Sequence, residues 1–166
     1  NIIDVPQFIN TFITKRQKSL FAQDIVQHNA TLRAKIKGKS VLVVGGAGTI
    51  GSSYIKAILQ FNPAKLYVVD INENGLTELT RQLRSDAQIT VPHNFRTYPM
   101  NFGDEVFKKM FLAEDRFHIV ANFAAHKHVR SEKDKYSIEA MIDNNVFKAK
   151  AFLDILVSKK PEYFFC

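Results

Sequence analysis

The stretch VLVVGGAGTIGSS, residues 41 to 53, runs a continuous apolar string into spaced glycines. Gly46, Gly48 and Gly51 read as GxGxxG, and Gly45, Gly48 and Gly51 read as GxxGxxG. Either spacing places glycine between a strand and a helix, with Thr49 and Ile50 at the turn itself. Glycine there permits a tight turn, lets the backbone approach a pyrophosphate, and allows the helix to sit close to the sheet. Unpaired amides and the helix dipole then favour the phosphate charge. A P-loop reading fails because no GK[ST] follows Gly51, which excludes nucleotide hydrolysis of that type.

An acid in the right place narrows the ligand. Asp70 ends the next apolar run, 19 positions past Gly51, where a carboxylate meets the ribose hydroxyls of a dinucleotide. The same carboxylate repels a 2′-phosphate, so the expected cofactor is NAD in preference to NADP. Ile71 follows it, and Asn101 and Phe102 stand after the third run, where they flank an adenine. The turn NFAAHKHV, 122 to 129, ends the fourth run. Small Ala124 and Ala125 admit a flat ring and ribose, and Lys127 reaches cofactor hydroxyls or an anionic substrate. His126 and His128 have no carboxylate or cysteine partner at metal-ligand spacing, so no metal is expected. Asn145 is a poor helix former inside a helical pattern, which suits a side chain turned back to fix that turn.

These residues need a scaffold that brings four strand ends together. Val41–Gly45, Lys65–Asp70, Phe95–Met100 and Phe117–Phe123 read as short buried strands, and a fifth begins at Tyr163. Between them, Ser52–Gln60, Glu73–Arg84, Asp104–Leu112 and a long Ser137–Ser158 carry helical apolar spacing. Strand and helix in alternation imply an α/β fold, a Rossmann-like doubly wound parallel sheet of about five strands. Residues 1–37 read as an N-terminal helical arm, with Asp4 as its N-cap before Pro6. Residues 38–166 read as the nucleotide-binding domain.

Composition sets the remaining bounds. The chain has 166 residues, 46% of them hydrophobic, and a net charge of +7, a globular profile with room for one core. Its lysines and arginines are scattered rather than interleaved with aromatics, so no nucleic-acid partner is expected. The lone Cys166 excludes a disulfide framework and fits a reducing, cytoplasmic setting. No stretch approaches the roughly 20 apolar residues of a membrane span. The first residue is Asn1, as in a piece of a longer parent.

KSVLVVGGAGTIGS, VVDINENGLTEL, NFAAHKHVRSEKDK and DNNVFKAK together resemble the polysaccharide-biosynthesis branch of the extended short-chain dehydrogenase/reductases, typified by UDP-N-acetylglucosamine 4,6-dehydratases. The resemblance covers roughly residues 35 to 166, and its discriminating element is AA-x-KHV at 124 to 129. It implies cofactor contacts at Gly45, Gly48, Ile50, Gly51, Asp70, Ala124, Ala125, Lys127 and Asn145. Arg130 departs from the proline of many relatives, and Asn101 from a common acid.

The resemblance further implies an internal redox cycle on a UDP-sugar, in which hydride leaves C4, water is eliminated across C5 and C6, and hydride returns to C6. Its acid/base groups follow the fifth strand, in a Ser/Thr-Asp-Lys segment and a Tyr- or Met-x-x-x-Lys. Tyr54, Tyr67, Tyr98 and Tyr136 all lack a lysine four positions on, so no catalytic residue is assigned here and this portion is expected to be inactive alone. A methyltransferase shares the glycine turn and second-strand acid, but the later residues argue against it. Two other readings stay open: a free-standing dinucleotide-binding regulatory module, and a homo-oligomerisation fragment whose arm exchanges between copies.

Overall fold

The computed structural model describes residues 5–15, 21–126 and 134–166. Asp4, Lys127 and His128 therefore lie outside the described residues. The chain divides into two compact units, Asn1–Ala34 and Lys35–Cys166.

The apolar spacing predicts a helical arm in which a second apolar set follows Lys18 and Ser19, and the described residues of this part form short helical pieces. α1 (Val5–Phe8) runs into a π-helical turn at Ile9–Ile13, and α2 (Ala22–Gln27) is followed by α3 (Asn29–Ile36). Lys15 takes a left-handed φ of 52° and stops the first piece. His28, at φ −99° and ψ 10°, separates α2 from α3. Among the described residues up to Ala34 none is buried, and Phe12, Ile13 and Phe21 are exposed. Helices this short gain little from propagation, so without a buried face nothing fuses them.

In the second unit, β1 (Ser40–Val44) is buried at all five positions, as its unbroken apolar run requires. It pairs in parallel with β2 (Lys65–Asp70) through Val43↔Val68 and with β4 (Ile119–Asn122) through Val43↔Ala121. β3 (Asn94–Pro99) extends the sheet beyond β2 and β5 (Tyr163–Phe165) beyond β4, giving the order β3-β2-β1-β4-β5. The chain moves outward from β1 to β3, then returns across β1 to β4. The strand order therefore reverses between β1 and β4, where open parallel sheets hold ligands.

Alternation along the strands feeds two cores. Leu42, Val44, Tyr67, Val69 and Val120 share one cluster with Phe107 and Phe111 of α6 (Glu105–Ala113) and Phe152 and Leu156 of α8 (Ala149–Ser158). Phe107 and Phe152 meet edge to face with centroids 5.4 Å apart, and Tyr67 meets Phe117 at 5.4 Å. On the other strand positions Val41, Val43, Leu66 and Val68 are buried, as are Ile55 of α4 (Thr49–Leu59) and Leu76, Leu79 and Leu83 of α5 (Glu73–Ser85). The predicted long helix starts at Lys135 as α7 (Lys135–Ile142) and is interrupted by a π-helical segment, Asp143–Lys148, before α8.

At the amino end of the sheet, Ser40 Oγ donates to the Arg116 carbonyl at 2.6 Å and lies 2.7 Å from His118 Nδ1. The Ser40 amide donates to the same Nδ1 at 3.2 Å, a bond that needs the nitrogen unprotonated. Burial, and then Lys39, hold the His118 imidazole below its ordinary 6.5; Arg116 and Lys65 act in the same direction and Glu162 opposes them. The unfolded chain thus binds the proton more readily, and stability falls as pH drops through 6.5 toward the lowered folded value. The Lys39 hydrogen bond holds the Glu162 carboxyl below 4.5, so that group acts in a lower window. Denaturant midpoints at pH 7.5 and 5.5 should differ for the native chain and differ less for His118→Asn; equal pH slopes in both would contradict this assignment.

Candidate functional site

The carboxyl ends of β1, β2 and β4 and the turn after β3 open into one cleft of about 490 Å³. Its walls come from Val44, Gly45 and Gly48, from Val69, Asp70 and Ile71, from Met100, Asn101 and Phe102, from Phe123 to His126, and from Ala140, Asp143, Asn144 and Lys148. Of the residues predicted from sequence, Gly45, Gly48, Asp70, Ile71, Asn101, Phe102, Ala124 and Ala125 meet here. Thr49 and Ile50 are exposed at the start of α4, Gly51 is buried beneath the turn, and Asn145 stands behind it.

The glycines divide by what demands them. Gly45 has φ +74°, and a Cβ on it would lie 2.5 Å from the Ala124 amide nitrogen and 2.6 Å from the Phe123 carbonyl carbon. The β1 and β4 turns are in backbone contact there, pinned by the Phe123 amide on the Val44 carbonyl at 2.8 Å. A Cβ on Gly46 would meet Val68 Cγ1 at 2.3 Å, and one on Gly51 would meet the Gly45 carbonyl oxygen at 2.3 Å. These three seat β4, β2 and α4 against the turn. Gly48 differs: it is extended, at φ −72° and ψ 166°, and the nearest atom to its hypothetical Cβ is 3.6 Å away. Among the described residues nothing requires glycine at 48.

Gly48 is also the N-cap of α4, and no side chain caps that end. The first-turn amides have no helical acceptor, and Gly48, at their start, lines the cleft at the positive end of the helix dipole. No acidic residue occupies that turn.

Asp70 lies beside this turn at the end of β2 and is tied to it. Its Oδ2 accepts from the Ala47 amide at 2.9 Å, and its Oδ1 accepts from the Asn72 amide at 2.9 Å. A carboxylate has about four acceptor sites, so each oxygen retains capacity for a hydroxyl donor. The strand-end acid therefore latches the glycine turn to β2 as well as facing the cleft, a structural duty its spacing did not announce. Asp70→Ala should lower stability by about 1–3 kcal/mol, the usual loss when amides lose a charged acceptor; an unchanged denaturation midpoint would show that the latch is idle.

The far wall is apolar at its rim. Ile71 is 74% exposed despite its type, which leaves a hydrophobic face for a flat ring. Asn101 Oδ1 accepts from the Gly103 amide at 2.8 Å and so closes the turn after β3. Asn145 holds the β4 turn from the π-helical segment: the His126 amide donates to Asn145 Oδ1 at 2.8 Å, and Asn145 Nδ2 donates to the His126 carbonyl at 2.7 Å. A side-chain amide thus pairs with a backbone unit as another peptide would. Lys127 lies outside the described residues. Met100, Asp143, Asn144 and Lys148 line the cleft without having been predicted. DNN in a helical pattern was the available signal, since Asp and Asn disfavour helix interiors and π-helical segments gather at functional sites.

A parallel sheet with a glycine turn at its reversal point and an acid at the next strand end defines a Rossmann-like domain. A family profile described as polysaccharide biosynthesis protein matches residues 41–166, and the chain belongs to that family. It is 30% identical over 128 residues to the uncharacterized membrane protein MJ1061 of Methanocaldococcus jannaschii, covering 77% of this chain and 35% of that protein. It is 26% identical over 136 residues to the probable polysaccharide biosynthesis protein EpsC of Bacillus subtilis, covering 82% of this chain and 22% of that one. Among solved structures it is similar to the enzyme WbmF of Bordetella bronchiseptica in complex with NAD+ and UDP, with a TM-score of 0.57, 22% identity, and 78% and 35% of the two chains covered. That likeness is one of fold. The chain spans about a third or less of the length of these proteins. Among the described residues no helix is long and apolar enough to cross a membrane.

Proposed function

We propose that the cleft binds NAD and that the chain is the cofactor-binding portion of a nucleotide-sugar dehydratase or epimerase of polysaccharide biosynthesis, whose substrate is a UDP-sugar. The observation that carries the reading is Gly48, a glycine that packing among the described residues leaves unexplained, at an uncapped helix start that lines the cleft. A ligand approaching the backbone there accounts for it.

The fit extends along the cleft. First-turn amides of α4 suit a pyrophosphate, and Asp70 retains acceptor capacity for ribose hydroxyls. Ile71 and the Met100–Phe102 turn give the base an apolar rim, and the small side chains of Ala124 and Ala125 leave room on the β4 side. NAD supplies a reversible hydride acceptor when bound. The chain's part is to hold it with water displaced from an apolar wall, and to keep the β4 turn fixed through Asn145. Family membership and the likeness to WbmF, crystallised with NAD+ and UDP, support the same reading.

Calorimetric titration with NAD, NADP and S-adenosylmethionine tests it. NAD should bind most tightly, and Asp70→Ala should narrow the gap between NAD and NADP because a carboxylate no longer opposes the 2′-phosphate. Binding of S-adenosylmethionine alone would overturn the reading.

A further inference from the structure

Two charged cleft residues have no part in the account above, and their placement rests on a glycine elsewhere. A Cβ on Gly103 would lie 2.5 Å from Lys148 Cδ and 2.6 Å from its Cγ. The aliphatic stem of Lys148 therefore occupies the space a side chain at 103 would fill. Gly103 has no left-handed φ, so its backbone alone does not call for glycine. The seat carries the ammonium to the cleft wall, where Nζ lies 3.4 Å from Asp143 Oδ2. Among the described cleft-lining residues Lys148 is the only lysine or arginine.

The position along the cleft says what the pair faces. Phosphate belongs at Gly48 and ribose at Asp70, at the ends of β1 and β2. The base continues in the same direction, toward the turn after β3, and Gly103 belongs to that turn. We infer that Lys148 and Asp143 form a base-reading pair, selecting a purine edge that carries a ring-nitrogen acceptor beside an exocyclic amine donor. This rests on the proposal that the cleft holds an adenine dinucleotide. An ammonium has three donors; it lies in ion-pair range of Asp143 and has donors to give to ring nitrogens, while the carboxylate accepts from the amine. An exposed ion pair of this kind contributes little to stability. The seat on Gly103 limits the rotamer freedom that such a lysine would otherwise lose on binding.

Titration of the full chain with AMP, ribose 5-phosphate and NAD tests the pair. Lys148→Met keeps an unbranched stem and removes the donors; AMP and NAD should weaken about tenfold, with ribose 5-phosphate unchanged. Lys148→Arg, which keeps the charge and donors, should recover most of the loss. Gly103→Ala should displace the stem and weaken AMP similarly, and the double variant should be no worse than either single one, as coupled sites behave. Melting temperatures of the variants should match the native chain. AMP binding by Lys148→Met within twofold of native would overturn the inference while leaving the cleft assignment standing. An equal loss for ribose 5-phosphate would also overturn it, since the lysine would then read phosphate. If the native chain bound neither AMP nor NAD, both the inference and the cleft assignment would fall.

Discussion

Gly45→Ala is expected to cost the fold about 3–5 kcal/mol, a loss in the range reserved for backbone conflicts and buried defects. Two terms add. A non-glycine residue at φ +74° pays about 1–2 kcal/mol for the left-handed conformation. The new methyl group would also meet the Ala124 nitrogen at 2.5 Å and the Ala124 Cα at 2.8 Å. These are backbone atoms of a neighbouring strand end, with no rotamer to move aside. Relief requires the β1 and β4 turns to separate, which breaks the Phe123–Val44 hydrogen bond of 2.8 Å and opens the central pair of the sheet. At roughly 2–4 °C per kcal/mol for a chain of this size, the melting temperature should fall by about 10 °C. A midpoint within 2 °C of native would mean that the two turns are not held in contact.

Gly48→Ala should do the opposite. Its φ and ψ suit any residue, and among the described residues a methyl group there has only the Gly45 carbonyl oxygen nearby, at an ordinary 3.6 Å. The expected stability loss is about 1 kcal/mol or less, the preference for glycine over alanine at an N-cap, and well short of the Gly45→Ala loss. Affinity for NAD should nevertheless fall about tenfold or more, because the methyl group enters the space where a pyrophosphate approaches the first-turn amides. Calorimetry beside a thermal melt separates the two effects. Full affinity in Gly48→Ala would remove the phosphate from this turn; lost affinity together with a stability loss as large as that of Gly45→Ala would make Gly48 a packing glycine like its neighbours.

The two substitutions show what the motif could and could not say beforehand. Spacing alone marks a strand–turn–helix junction and treats its glycines as equivalent, because each has the same chemistry in one dimension. Which glycine faces a strand, a helix or open space depends on what packs against the turn, Val68 of β2 for Gly46 and, more than 70 residues further on, the β4 turn for Gly45. The same holds for Asp70: its distance from Gly51 was legible, but its hold on the Ala47 amide was not, since that bond joins two turns. The sheet itself was readable, since β1 and β2 are buried on both faces and show it as unbroken apolar runs. In the arm the helical spacing was readable and the division into short pieces was not, because apolar spacing records that a face exists and not what covers it. Asn145 was readable as an oddity in a helical pattern, and its turn-fixing bonds to His126 follow from that. Lys148 carried no mark, being one lysine among many until the seat on Gly103 is seen.

One cleft, at the reversal of the sheet, is proposed to receive an adenine dinucleotide. Amide chemical shifts of the labelled chain during an NAD titration test it most directly, since each residue reports for itself. The account predicts saturable shifts concentrated at Gly45 to Gly51, Asp70 and Ile71, Asn101 and Phe102, and Ala124 to His126, with the amino end of the sheet around Ser40 and His118 unmoved. Shifts that cluster away from these turns, or none at millimolar NAD, would contradict it.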